Sequence, residues 1–258
     1  MEQPLDRQYS LVKIIGLWLL VTVPMGIGRY IIMPMLADSV VIHPGIIFWL
    51  LMILGMIWQF VLSVIILKSE LGSLSWVKVK ERLWLNHPID SKSGKPNKKL
   101  YWYVIPVILY AALIGQTGLF NFVGEFLVKV FPSLAPPPYV LIKNLATPEF
   151  AGAWYIVVIA LVSSVFNYLL GEELFFRGIL LPKMNGTFGK FDWAINGVLF
   201  ATYHVHKIQD VPVFIFSTIF IAYLNKKYRS FYPALIIHGI EFLPLIIIIL
   251  MVVLGKVS

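Results

Sequence analysis

In the stretch "GEELFFRGIL", residues 171–180, two adjacent carboxylates and an arginine interrupt a strongly apolar sequence. Neighbours on a helix point about 100° apart, whereas residues four apart share a face. Glu173 is therefore set to pair with Arg177, while Glu172 projects elsewhere without that partner. A paired carboxylate is held ionised and carries protons poorly; an unpaired one in a desolvated cavity suits a general base. On this spacing Glu172 does the chemistry, and Glu173 with Arg177 holds the frame. The plain alternative is an ion pair at a helix end in headgroup water, where it is worth little.

Two further stretches carry polar groups through apolar sequence. "FATYH" sets Phe200 and His204 four residues apart on one helix face, and "PALIIHGIEF" carries His238 and Glu241. A charged side chain at mid-bilayer costs roughly 2.5–3.5 kcal/mol, so such groups face a bundle interior or a wet cavity. One intramembrane histidine is an ordinary packing residue. Two histidines and an unpaired glutamate on three successive polar-bearing helices suit water activation. Arg29, isolated in the first apolar run, reads as a structural residue that snorkels or pairs locally.

The elements that must position these groups follow from composition. The chain has 258 residues, 59% of them hydrophobic and only 13% charged, with no cysteine. Apolar runs of this length describe a polytopic all-α membrane bundle. Seven segments stand out, at 12–36, 44–67, 101–123, 152–171, 191–205, 211–225 and 233–254. The first, behind "MEQPLDRQYS", reads as a retained span rather than a secretory signal. Without cysteine there is no disulfide, thiolate-zinc site or cysteine nucleophile.

The net charge of +8 is topological rather than a nucleic-acid footprint, because eight of the 21 Lys and Arg residues lie between Lys68 and Lys99. That loop belongs inside the cell, which makes the N-terminus cytoplasmic and, over seven spans, the C-terminus external. Within it, "SLSWVKVKERLWLNHP" reads as a short interfacial helix. Ser75 is its cap, Trp76, Val79, Leu83 and Trp84 or Leu85 lie on one side, and Lys78, Lys80, Glu81 and Arg82 flank them. The proline-rich stretch 131–151 reads as an outer loop, and no internal repeat supports a transporter of inverted halves.

In their order, EExxxR at Glu172–Arg177, FxxxH at Phe200–His204 and the helix around His238 resemble the CAAX-protease and bacteriocin-processing (CPBP) family of intramembrane proteases. The resemblance covers about 152–245, leaving 1–151 as N-terminal helices with the basic loop and 246–258 as the end of the last helix and tail. It implies a helix bundle around a water-accessible cavity. There Glu172 and His204 activate water for attack on a peptide carbonyl, and His238 stabilises the oxyanion. Glu173, Arg177 and Phe200 support them, and the substrate is a membrane-embedded or lipid-associated peptide or protein. The compact, Ile- and Lys-rich chain suits a bacterial plasma membrane.

One position departs from the family pattern. Phe242 stands where an asparagine often follows the third-motif histidine by four residues. An oxyanion donor is worth about 2.7–4 kcal/mol, and phenylalanine cannot donate, so His238 acts alone, Asn196 or Asn167 substitutes, or activity is lost. Glu172, His204 and His238 also match a two-histidine, one-carboxylate zinc set. Without an HExxH signature, metal-free activation is the preferred reading, so no cofactor is expected. Two other functions remain open: a catalytically silent immunity or regulatory scaffold, and a proton-coupled transporter using the same groups as a relay.

Overall fold

The computed structural model describes residues 7–36, 41–140, 145 and 147–256, and the regular structure among them is all helical. Lipid supplies no hydrogen bonds, so each crossing segment satisfies its backbone internally. Six helices are long and apolar enough to cross a membrane: α1 (Leu11–Leu36), α2 (Pro44–Leu71), α4 (Lys98–Thr117), α6 (Tyr155–Lys183), α8 (Val205–Tyr228) and α9 (Tyr232–Val253). Shorter helices α3 (Trp76–Arg82), α5 (Asn121–Val130) and α7 (Asp192–Tyr203) complete the bundle.

The fifth apolar segment of the sequence is α7. Its 12 residues rise about 18 Å, well short of a ~30 Å hydrocarbon core. It runs beside α8 as a hairpin, closed at its base by an ion pair between Asp192 and Lys226. Trp193 and Tyr223 meet edge to face just above that pair, with centroids 5.2 Å apart.

The largest core gathers α1, α2, α6 and α7 around Ile14, Met25, Met52, Phe175, Phe176 and Tyr203. By contrast α4 turns Leu109 and Leu113 outward, the arrangement expected of a lipid-facing helix. Trp18 of α1 donates to the Leu199 carbonyl near the end of α7 (2.8 Å), and Tyr30 donates to Val205 O (2.9 Å). These bonds fix the first helix against the His204 turn.

Helix α6 winds as a π-helix at Phe166–Leu170 and again at Leu174–Leu180. The two stretches bracket Gly171, Glu172 and Glu173. Gly171 has no substitute here, because a Cβ would lie 2.5 Å from Phe166 O and 2.9 Å from Met56 O. This close approach presses the glutamate pair against α2. π-Winding frees carbonyls from the helical ladder, and distant side chains take them up. Asn196 donates to Phe176 O (2.8 Å), and Arg82 donates to Gly178 O (3.1 Å) and Ile179 O (3.0 Å).

The interfacial helix forms as expected, with two differences. Ser75 occupies the cap position of α3 but makes no side-chain cap bond. Arg82, expected on the solvated flank, is buried at 3% exposure and also binds Glu70 Oε2 at 2.7 Å. Trp76 and Val77 face outward, while Leu83 enters the core. Tyr9 completes this cluster by donating to Glu70 and accepting from Arg82, and burial pushes its phenol pKa up.

Arg29 is likewise buried rather than snorkelling, donating to Ala135 O at 3.0 Å. The stretch 131–151 contains short 3-10 turns at Pro132–Leu134, Pro138–Val140 and Pro148–Phe150, while its residues 141–144 and 146 lie outside the described residues. The two chain ends whose sides the charge pattern assigns, 1–6 and 257–258, lie outside them as well.

Candidate active site

The two glutamates diverge as their spacing requires. Glu173 forms an ion pair with Arg177 Nη1 (3.3 Å) and accepts from His238 Nδ1 (2.9 Å), with both acidic and guanidinium groups fully buried. Arg177 lies over the Phe200 ring, 3.8 Å from its centroid. The same ring meets His204 and His238 edge-on at 5.0 and 5.8 Å. Phe200 is thus the apolar hub against which the arginine and both imidazoles are packed.

Glu172 points the other way, into a cavity of ≈ 490 Å³ whose wall also includes His204, His238, Asn167, Tyr168 and Glu241. Its carboxylate accepts from the Tyr203 hydroxyl (3.1 Å). Asn167, with its amide nitrogen turned to the carboxylate, donates to Oε2 (2.8 Å) and Oε1 (3.2 Å). Neither Tyr203 nor Asn167 emerged from the sequence as a Glu172 partner. The available signal was their position beside the motifs: Tyr203 immediately precedes the motif histidine, and Asn167 lies five residues before the glutamate.

His204 Nε2 lies 3.9 Å from Glu172 Oε1, too far for a direct hydrogen bond and suited to a bridging water. Its other nitrogen is committed, since Nδ1 sits 2.9 Å from the Phe200 carbonyl. A carbonyl only accepts, so Nδ1 carries the proton and Nε2 of the neutral ring presents a lone pair to the cavity. One water can then donate to both Glu172 and His204, leaving its own lone pair free to attack.

His238 touches the framing carboxylate rather than Glu172. With Nδ1 bound to Glu173, its Nε2 faces Glu241 Oε2 at 3.9 Å. Carboxylates on either side of the ring neutralise an imidazolium, the form in which Nε2 donates. Tyr168 packs edge-on against this ring at 5.0 Å.

Of the two substitute amides, Asn196 is spent on the Phe176 carbonyl and Asn167 on Glu172. Phe242 begins the last helical stretch and lines no part of the cavity, whereas Glu241 does. His206 is 5% exposed and part of the cavity wall, because the chain after α7 folds back as a tight 3-10 turn. Gly124 of α5 permits that packing: a Cβ there would lie 2.1 Å from the Gln209 carbonyl oxygen.

As for metal, no group of three or more His, Cys, Asp or Glu side chains converges to hold an ion among the described residues. With Nδ1 on Glu173, His238 has only Nε2 to offer an ion, and that nitrogen faces Glu241.

Residues 150–241 match the family model described as type II CAAX prenyl endopeptidase Rce1-like. This segment is Rce1-like. Its extent agrees with the CPBP resemblance, and it contains Glu172, Glu173, Arg177, Phe200, His204 and His238. Phe242 falls one residue beyond it. The Rce1-like segment is a little over a third of the chain, and much of the cavity's apolar wall, such as Phe48, Trp49 and Met52, comes from α2 outside it. Neither a curated protein nor a solved structure matches the chain. The six apolar helices describe an integral membrane protein, and its residues 150–241 are similar to CAAX-type proteases.

Proposed function

We propose that this protein is an intramembrane endopeptidase that cleaves a membrane-embedded or lipid-associated peptide or protein. The observation that carries the reading is Glu172: a buried carboxyl, held by Tyr203 and Asn167, facing His204 Nε2 across 3.9 Å of cavity. Water held between the two attacks the peptide carbonyl carbon while its proton passes to Glu172. The new oxyanion is met by His238 Nε2–H. The proton on Glu172 then goes to the departing amine, the C–N bond breaks, and a carboxylic acid and an amine leave.

Glu173 and Arg177 hold α6 and His238 in register and do not exchange protons with substrate. The proposed chemistry uses no metal, so turnover should survive chelators and dialysis. Chelator inhibition reversed by zinc would overturn that part. The whole reading is tested by comparing protein termini in membranes carrying wild type or Glu172→Ala. The proposal expects at least one new terminus that disappears with the carboxylate. Identical sets of termini would remove it.

A second reading, a catalytically silent immunity or regulatory scaffold, is favoured by one observation: neither neighbouring amide stands free beside His238. Phenotypic complementation by Glu172→Gln separates the two, because a pure binder keeps its phenotype and a peptidase loses it.

A further inference from the structure

Phe242 leaves the third-motif helix without an amide beside His238, and Asn196 and Asn167 are engaged elsewhere. Tyr168 supplies a hydroxyl from another helix. It lies in the π-wound stretch Phe166–Leu170 of α6, which runs into the glutamate pair. The wide turn is closed by the Gly171 N–H on Phe166 O (2.7 Å). Tyr168 packs edge-on against His238, with ring centroids 5.0 Å apart, and lines the same cavity as Glu172, His204 and Glu241. The charged groups acting on its phenol oxygen are Glu241 and Glu172. His238 Nε2 faces the same Glu241, 3.9 Å from Oε2, so the phenol and the imidazole open on one end of the cavity. The hydroxyl also bonds with the Asn167 side chain. With that amide's nitrogen turned to Glu172, its oxygen is left to accept from the phenol.

We propose that the Tyr168 hydroxyl is a catalytic hydrogen-bond donor that, together with His238 Nε2–H, holds the tetrahedral oxyanion where the third-motif helix offers no amide. This rests on the peptidase reading above and adds a residue to that same site. At rest the phenol donates to a neutral amide oxygen. Hydrogen bonds to an ionised acceptor are roughly twice as strong, so rotation about the phenol C–O bond hands the donor to the oxyanion as charge develops. Attack by water puts a proton on Glu172, which makes that carboxyl neutral when the oxyanion is present. Tyr168 keeps its own proton throughout, and collapse of the oxyanion to the product carbonyl returns the hydroxyl to Asn167. A bond made only in the transition state raises kcat and leaves substrate affinity unchanged.

The experiment compares the full chain with its Tyr168→Phe variant in phosphatidylcholine nanodiscs. The probes are a fluorogenic apolar peptide and its phosphinate analogue, whose tetrahedral, anionic centre stands in for the oxyanion. Phenylalanine keeps the ring against His238 and removes only the donor. Tyr168→Phe is expected to lower kcat about 10²-fold, the usual worth of one oxyanion donor, and to weaken phosphinate binding by a similar factor. KM and the thermal midpoint should stay close to wild type. So should the Kd of the uncleaved peptide, read in chains that also carry Glu172→Gln. Replacing Tyr168 by 3-fluorotyrosine, which retains the donor, should restore both turnover and phosphinate binding.

Wild-type kcat in Tyr168→Phe overturns the proposal, as does phosphinate binding that ignores the hydroxyl or fails altogether. A loss of kcat accompanied by equal losses in peptide affinity and thermal midpoint also overturns it, because the phenol is then structural. The two readings fail separately. Phosphinate binding that depends on the Tyr168 hydroxyl, in a chain that cleaves nothing, removes the peptidase reading and leaves the donor pair standing. Cleavage indifferent to the hydroxyl does the reverse.

Discussion

At the residue scale, adjacent glutamates receive opposite surroundings. Glu173 is locked between a guanidinium and an imidazole, whereas Glu172 meets only a hydroxyl, an amide and open cavity. Removing one member of a buried ion pair leaves the other unpaired, at roughly 3–5 kcal/mol. Glu173→Ala should therefore lower the thermal midpoint in detergent sharply and reduce expression. Tyr203→Phe removes one hydrogen bond to the Glu172 carboxylate while preserving the ring. It should leave the midpoint within a few degrees and lower kcat about tenfold; unchanged kcat would remove Tyr203 from the site. The i,i+4 pairing of Glu173 with Arg177 was readable from spacing alone, because one helix turn determines it. The Tyr203 and Asn167 contacts were not, since they depend on how α7 crosses α6.

At the element scale, α6 carries the glutamate pair, and its π-winding was invisible in sequence. Apolar periodicity does not distinguish 3.6 from 4.4 residues per turn over so short a stretch. Nor did charge pattern reveal that Arg82 turns inward, since a surface arginine and a carbonyl-binding one look alike in an amphipathic helix. In the folded chain Arg82 joins α3 to the carbonyls of Gly178 and Ile179, one turn beyond the glutamates. Arg82→Ala strands those acceptors, each buried unsatisfied group costing about 1–3 kcal/mol, and leaves Glu70 with Tyr9 and Lys13 as partners. Thermal midpoint and kcat should fall together, with Lys restoring part of both. Gly171→Ala drives a methyl into Phe166 O and Met56 O, so it should separate α6 from α2 and abolish activity. A fully active Gly171→Ala protein would contradict this packing.

At the scale of the whole molecule, composition made the all-helical membrane bundle legible, while the status of α7 was not. A 12-residue apolar helix and a full span look alike until the chain turns, here at the segment that carries His204, His206 and Lys207. This shortening does not alter the parity of the chain. The Asp192–Lys226 pair holds both ends of the α7–α8 hairpin on one side, so the hairpin counts as zero crossings or two. The start of α1 and the end of α9 are therefore expected on opposite faces, and from its charge we propose that the basic loop 68–100 is cytoplasmic. A phosphatase reporter fused after Lys256 should be active outside the cell, and a cysteine at Ser93 should be labelled only after the membrane is opened. Labelling of intact cells at Ser93 would invert the topology.

The central claim is that one carboxyl of the adjacent pair reacts and the other does not. It is tested most directly by turnover of purified Glu172→Gln, measured together with its thermal midpoint. Glutamine keeps the shape of the side chain and the acceptor for Tyr203 but cannot take a proton. The account predicts a midpoint close to wild type and a loss of roughly 10²–10⁴-fold or more in kcat, the usual worth of a general base. A folded Glu172→Gln protein that cleaves at the wild-type rate would contradict it.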